Sequence, residues 1–460
     1  MQSLFEEIEY LHKTPFWKKV ESHRSLETDK LLYQGMLLEL KSSGKTRQSF
    51  FSLTNKYLYS SKPGHLKPNK QAVIKFRVIE PFIEEREDTV KYGFQIILHK
   101  HSKIFYTSSM KELDKWMDYL AMVGIMTKIE DDYQIMKLLG KGSYANVYLA
   151  RDLCTDKEYA IKSIDKSLIK SKNTFNGMVN EIDILRTLDH PNIVKIHKVY
   201  ESETHIQLVL DYIKGGSLLA RLHNEGPLSE KQSRKFMKKL LELLVYLEDS
   251  SIIHRDIKLE NILLLSEKST SHFKLIDFGF SGYLKDKETA YCGTPGYMAP
   301  EIIRNIPYGL KADVFSAGIL LYILLYNQSP FTGDTANEVI ESNKRCKIFF
   351  DSKYFLMASC EAIHTIMEMT SSSPAARLNA KELLKLRWFT KEKSNGRLKS
   401  RTHTDDIICA DSDKKRKRGS MSHKTKGHEL EKNYVKNRSN VKNENRARSK
   451  SLYEIKDEGS

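Results

Sequence analysis

Between residues 31 and 107, apolar residues gather in short runs, LLYQGMLLEL, SFFSLTNKYLYS, AVIKFRVIE, YGFQIILH and KIFYTS, with polar breaks between them. Runs of this length and composition predict strands of a mostly antiparallel sheet. From Ser109 to Gly124 the spacing becomes helical. Met110, Leu113, Trp116, Met117, Leu120 and Val123 share one face, and Ser109 with Glu112 has the spacing of a capping box. Trp116 is expected to fill the interior behind that face, so one amphipathic helix closes one small sheet. Near residue 128 the pattern restarts. LLGKGSYANVYLA reads as two strands around a glycine turn, YAIK as an apolar strand carrying Lys162, and VNEIDILRTL as a helix that buries Ile182 and Leu185. Beyond Lys391, Ser, Asn and Lys dominate, and such a composition cannot bury enough surface to offset chain entropy. The pattern therefore predicts folded regions over 30–127 and 133–389 and a disordered basic tail over 391–460. No fixed-period repeat suggests a solenoid.

A chain of 460 residues with 40% hydrophobic residues has room for about three domain-sized pieces, and fibrous or wholly disordered classes are excluded. The longest apolar stretch, Ala317 to Tyr326, is half of the roughly 20 residues that a bilayer crossing needs. The acidic start, MQSLFEEIEY, is unlike a signal peptide. Five scattered cysteines, Cys154, Cys292, Cys346, Cys360 and Cys409, form no CxxC pair. That argues against a disulfide framework or a zinc site and for a reducing, cytoplasmic setting. Of the formal net charge of +16, +9 lies in residues 391–460, which carry 20 Lys plus Arg against 11 Asp plus Glu. Within it, Lys414-Lys415-Arg416-Lys417-Arg418 has three open readings: a nuclear import signal, an adhesive patch for anionic membrane or nucleic acid, or a solvated charge run. Specific nucleic-acid recognition is not expected. Phosphorylation at Ser420, Ser449 or Ser451 would weaken any such adhesion.

The chemistry starts at Gly140-Lys141-Gly142, where small residues let backbone amides approach phosphate oxygens; the third small position is Ala145. Lys162 in its apolar strand needs a partner, and Glu181 follows 19 residues later. Then come His254-Arg255-Asp256-Ile257-Lys258-Leu259-Glu260-Asn261, Asp277-Phe278-Gly279 and Ala299-Pro300-Glu301. In that order and spacing the chain resembles the catalytic domain of eukaryotic protein kinases from about Tyr133 to Phe389. The resemblance implies a bilobal α+β fold and transfer of the γ-phosphate of ATP. Lys162 would contact the α and β phosphates with Glu181 fixing its ammonium; Asp277 and Asn261 would hold Mg²⁺; Asp256 would accept the substrate proton; Lys258 would neutralise the γ-phosphate. Leu139, Val147, Ala160 and Leu263 would enclose the adenine, Leu210 would be the gatekeeper, and backbone groups of Asp211 and Ile213 would read the base edge. Lys258 and Thr294 resemble the serine/threonine branch. Leu259 stands where this loop commonly has proline. Glu301 with Arg377 matches a buried ion pair of the family, and Asp313 a carboxylate that supports the catalytic loop.

By the same resemblance, Arg255 can bind a phosphate on the loop between Asp277 and Glu301, with Thr289 and Tyr291 as candidate acceptors; the position most often phosphorylated aligns with Ala290. LRWF and GTPGYMAPE are more similar to the calcium/calmodulin-dependent kinase group than to the cyclic-nucleotide-dependent and protein kinase B group. No DxDxDG-type loop is present, and a calmodulin target around Trp388 to Arg401 lacks a clean apolar face. The expected partners are protein substrates with Ser/Thr acceptors; Glu260 suggests attraction for basic residues before the acceptor, and Ser217 replaces a frequent acidic helper. Upstream, strands followed by a Trp-bearing helix resemble a pleckstrin-homology domain, a small β-barrel or sandwich capped by a C-terminal helix, with Gly35 and Trp116 at matching places. Such domains bind phosphoinositides through basic residues near the first hairpin. Lys41, Lys45 and Arg47 are available, whereas Glu39 and Ser49 depart from the basic set. The competing class is a catalytically inactive pseudokinase scaffold, against which stand Lys162, Asp256, Asn261 and Asp277, all present.

Overall fold

The computed structural model describes residues 3–8, 15–20, 30–65, 67–86, 89–98, 101–142, 145–267, 269–284, 290–350 and 358–390, which belong to one compact unit. The tail 391–460, with its basic run and serines, and Thr289 lie outside the described residues.

The N-terminal region is built from strands β1 (Lys18–Lys19), β2 (Leu31–Leu40), β3 (Thr46–Thr54), β4 (Tyr57–Ser61), β5 (Lys70–Val73), β6 (Val78–Arg86), β7 (Thr89–Leu98) and β8 (His101–Tyr106), followed by helix α1 (Met110–Ala121). Neighbouring strands pair antiparallel from β2 to β5 and from β6 to β8, and β2 also pairs with β8 through Leu38 with Tyr106 and Glu39 with Phe105. Alternation sends Leu37, Phe51, Phe94 and Phe105 inward, where Trp116, Leu113 and Leu120 of α1 close over them. Trp116 is fully buried, and its ring packs where a side chain on Gly35 would begin, 3.5 Å from its Nε1. Ser109 caps α1 by accepting from the Glu112 N–H, but Glu112 turns away to Tyr33 and Lys115, so half of the capping box forms. A tighter approach occurs at Gly93, where a Cβ would lie 2.5 Å from the Phe105 carbonyl and 2.7 Å from Phe82 Cζ. Gly93→Ala is expected to destabilise the chain by about 1–3 kcal/mol through overpacking, readable by denaturant titration.

Two runs read as continuous are broken. Residues 49–60 turn back at Asn55-Lys56, where Thr54 Oγ1 accepts from the Tyr57 N–H at 3.0 Å. Residues 72–80 break at Phe76, which has φ 63° and sends its ring out of the sheet's own core. A closed barrel does not form: among the described residues no ladder joins β5 to β6. The free edge of β6 is taken instead by a linker strand, β9 (Ile125–Met126), which runs parallel to Val78 and Ile79.

The same linker strand pairs on its other side with Tyr200 of the second region. There, β10 (Tyr133–Lys141), β11 (Ala145–Asp152), β12 (Glu158–Asp165), β13 (Ile196–Glu201) and β14 (His205–Asp211) continue the sheet in the order β9-β13-β14-β12-β11-β10. Helix α2 (Lys172–Thr187) packs beside it. A helical half follows, centred on α3 (Glu230–Asp249), which begins at a complete Ser229/Gln232 capping box, and α4 (Lys311–Tyr326), apolar on every side and buried almost throughout. The apolar stretch from Ala317 to Tyr326 is thus core, and among the described residues no helix is long and apolar enough to cross a membrane.

Candidate active site

Strand register decides which side chains share a face. Val147 lies opposite Lys162, Ala160 lies two positions before it, and Leu210 lies opposite Ala160. With side chains alternating, Val147, Ala160 and Lys162 point to one side of the sheet. At the β10–β11 turn, Gly140 pairs with Val147, a Cβ on Gly140 would meet nothing within 4 Å, and the Gly142 N–H donates to the Ala145 carbonyl at 2.8 Å. Leu139 is exposed, and Leu263 is half-buried on β15 (Ile262–Ser266). Of the hinge groups, the Asp211 N–H already donates to the Lys195 carbonyl at 3.1 Å, while its carboxylate is drawn to His197 at 2.8 Å and Lys274 at 3.2 Å. Burial raises that carboxyl, but these partners outweigh it and bring it down to about 2.

Lys162 meets Glu181, the partner expected for it, at 2.7 Å, and also Asp277 at 3.0 Å. Burial opposes the ammonium charge, yet the two carboxylates win and hold Lys162 protonated well above the ordinary lysine range. Asp277 feels burial in the raising direction, and Lys162 reverses it. Its side chain stays 44% exposed beside Lys162, so it has an open side. Asp277 and Arg255 both have φ in the left-handed region, 60° and 68°, the sort of strain held only where the surroundings over-determine it. The surroundings are visible: Phe278 is fully buried with its ring 4.7 Å from that of His254, and Asp313 accepts the N–H groups of His254 and Arg255 at 2.7 and 2.8 Å.

A second cluster forms around Asp256. Its carboxylate meets Lys258 at 2.8 Å, accepts from Thr294 Oγ1 at 2.6 Å, and accepts from Asn261 Nδ2 at 2.9 Å; Lys258 also donates to Thr294 Oγ1 at 2.8 Å. The Asn261 side chain donates through Nδ2 to both the carbonyl and the carboxylate of Asp256. The Ile276 N–H bonds the Asn261 carbonyl at 2.9 Å, tying this cluster to Asp277 next door. Among the described residues no three His, Cys, Asp or Glu converge on a metal site. Two oxygen donors, Asp277 and Asn261, fit magnesium instead, an ion that takes one or two protein oxygens and completes its shell with phosphates and water.

The sequence marks Thr294 only as a feature resembling the serine/threonine branch; its bridge between Asp256 and Lys258 is visible in the fold alone. The ion pair of Glu301 and Arg377 forms at 2.6 Å, with both side chains buried. Tyr291 is exposed.

The model of the protein kinase domain matches residues 133–389. This chain belongs to the protein kinase family. The kinase is 33% identical over 335 residues to a probable serine/threonine-protein kinase 2 of Plasmodium falciparum, covering 72% of this chain and 63% of that relative. That match is longer than 133–389 and so reaches outside the catalytic region. Calcium-dependent protein kinase 5 of the same organism is 35% identical over 284 residues, with 61% and 49% covered. Death-associated protein kinase 2 of Mus musculus is 37% identical over 271 residues, with 57% and 73% covered. The chain spans about half to two thirds of the length of the Plasmodium relatives. All three relatives carry protein-kinase names, and the first is described as a probable serine/threonine-protein kinase.

Proposed function

We propose that the enzyme transfers the γ-phosphate of ATP to Ser or Thr hydroxyls of protein substrates, with Asp256 as proton acceptor. The observation that carries this reading is the simultaneous presence of the Lys162–Glu181–Asp277 contacts and the Asp256–Lys258–Thr294–Asn261 cluster. Phosphoryl transfer is largely positioning and charge neutralisation. Lys162 would hold the α and β phosphates, Glu181 keeping its ammonium in place. Asp256, steadied by Asn261 and Thr294, would orient the incoming hydroxyl and take its proton. Lys258, within reach of the same carboxylate, would neutralise the moving phosphate. Asp277 and Asn261 would hold magnesium, which supplies charge neutralisation of the phosphate oxygens. Leu139, Gly140, Gly142, Val147, Ala160 and Leu263 would enclose the nucleotide, with Ile213 offering its backbone at the base edge and Asp211 its carbonyl, because its N–H is already engaged. Incubating the full chain with labelled ATP, Mg²⁺ and a basic Ser/Thr peptide tests the reading. Absence of label supports the inactive scaffold.

For the N-terminal region, the seven strands β2–β8 and a closing helix with Trp116 against Gly35 support a pleckstrin-homology-like module that regulates the neighbouring catalytic region. Lipid binding is the weaker role. Lys41 is ion-paired with Glu39, itself buried and bonded to Trp17 Nε1 at 2.8 Å, so the first basic residue of the hairpin is already neutralised. On the activation loop, the Arg255 guanidinium lies near the chain at Gly282. If Thr289 carries the activating phosphate, Thr289→Ala lowers turnover of the phosphorylated enzyme about tenfold; equal turnover removes that role.

A further inference from the structure

Helix α2 has two working faces. Glu181 and Leu185, four residues apart, share one face; Asp183 and Arg186 lie roughly 140–200° around the helix, on the other. The second face is held by the N-terminal region. Arg186 donates Nη1 to the Val123 carbonyl and Nη2 to the Gly124 carbonyl, each at 2.5 Å, and its guanidinium lies 5.7 Å from the centre of the Phe76 ring. These carbonyls follow the last turn of α1, where the helix dipole favours a cation. Lys75 pairs with Asp183. Burial with little compensation pushes the Arg186 guanidinium down to about 10. A half-buried charge of this kind is tolerated only while its partners stay in place.

The start of the chain completes the grip. Phe5 is fully buried, stacks on Phe76 at 5.6 Å between centroids, and shares a cluster with Phe175, Met178 and Ile182 of α2. It is pinned there by Glu201, which accepts from Ser3 Oγ at 2.5 Å and the Leu4 N–H at 2.6 Å, and which Lys166 neutralises at 2.7 Å. The break at Phe76 in the small sheet now has a purpose, since it turns that ring toward α2.

We propose that Arg186 is a positioning residue: anchored on the Val123 and Gly124 carbonyls, it lets the N-terminal region hold α2 where Glu181 reaches Lys162. A rigid helix gripped on its far face cannot rotate or slide without giving up the guanidinium contacts. The inference rests on the nucleotide-positioning role given above to the Lys162–Glu181 pair.

Full-length wild type, Arg186→Ala, Glu181→Gln and the double variant are assayed for kcat and KM for ATP. Arg186→Ala is expected to lower kcat/KM for ATP about tenfold, a usual size for coupling between sites. In the Glu181→Gln background it should add nothing, because both changes act through one pair. A residue that merely supported the fold would lower activity equally in both backgrounds, and that result, or no loss from Arg186→Ala, overturns the proposal. Unchanged activity in Glu181→Gln alone would instead sink the role of the Lys162–Glu181 pair, and the proposal with it. If Arg186→Ala does not fold, Lys75→Ala, whose ion pair is partly exposed, carries the same comparison: a loss that vanishes in the Glu181→Gln background supports the proposal, and no loss overturns it.

Discussion

Asp256→Asn is expected to lower phosphoryl transfer to a Ser/Thr peptide by about 10²- to 10⁴-fold, the range that a positioned proton acceptor contributes. Asparagine has nearly the same shape, so Asn261, Lys258 and Thr294 keep a neighbour of the right size. What disappears is basicity and charge. The amide cannot take the hydroxyl proton, and Lys258, 2.8 Å away, loses its counter-ion. Because Asp256 belongs to a different cluster from Lys162, KM for ATP should change little while kcat falls. The measurement is steady-state turnover with labelled ATP beside a thermal melt of both proteins. A variant that melts normally and turns over like wild type would remove Asp256 from the chemistry.

Arg377→Ala is expected to destabilise the chain by about 3–5 kcal/mol, the usual cost of stranding one member of a buried pair. The guanidinium meets Glu301 at 2.6 and 3.0 Å, the carbonyls of Ser371 and Lys311 at 2.8–3.0 Å, and the face of Phe315 at 5.0 Å from its centre. Neither side chain of the pair is appreciably exposed. Truncation leaves a carboxylate in the interior with no cation and two carbonyls without their donor. Removing Glu301 as well, as Glu301→Gln in the Arg377→Ala background, should recover part of the loss, since a neutral amide costs less to bury than an anion. Denaturation midpoints of wild type, single and double variants check the order. A single variant as stable as wild type would contradict it.

The clustering of the candidate site residues was legible because phosphate chemistry demands particular side chains at short, fixed separations: Lys258 and Asn261 stand two and five places after Asp256, and all three meet in space. Helix α1 was legible for a similar reason, its cap and its apolar stripe being local. What escaped was long-range. Glu201 is buried and bonded to residues nearly two hundred positions earlier, yet in a polar stretch it reads as surface. Phe5 and Phe76 are apolar, but the alternation of β-strands says only that a side chain goes inward, not into whose core. The acidic opening segment carried information about export alone, whereas in the fold its phenylalanine is a plug. Strand breaks at Asn55-Lys56 and Phe76 were missed because neither contains glycine or proline, the residues that usually punctuate a chain.

Strand β9 bears on how this enzyme can be handled. A fragment cut to the family borders, 133–389, discards Ile125 and Met126 and strips β13 of its neighbour at Tyr200. Removing the upstream residues also unroofs the apolar surface under Phe5 and Phe76. An uncovered strand next to a greasy hollow recruits other copies of itself, so recombinant pieces trimmed at Tyr133 should come out of the cell clumped, and those that keep Ser3 and all that follows it should not.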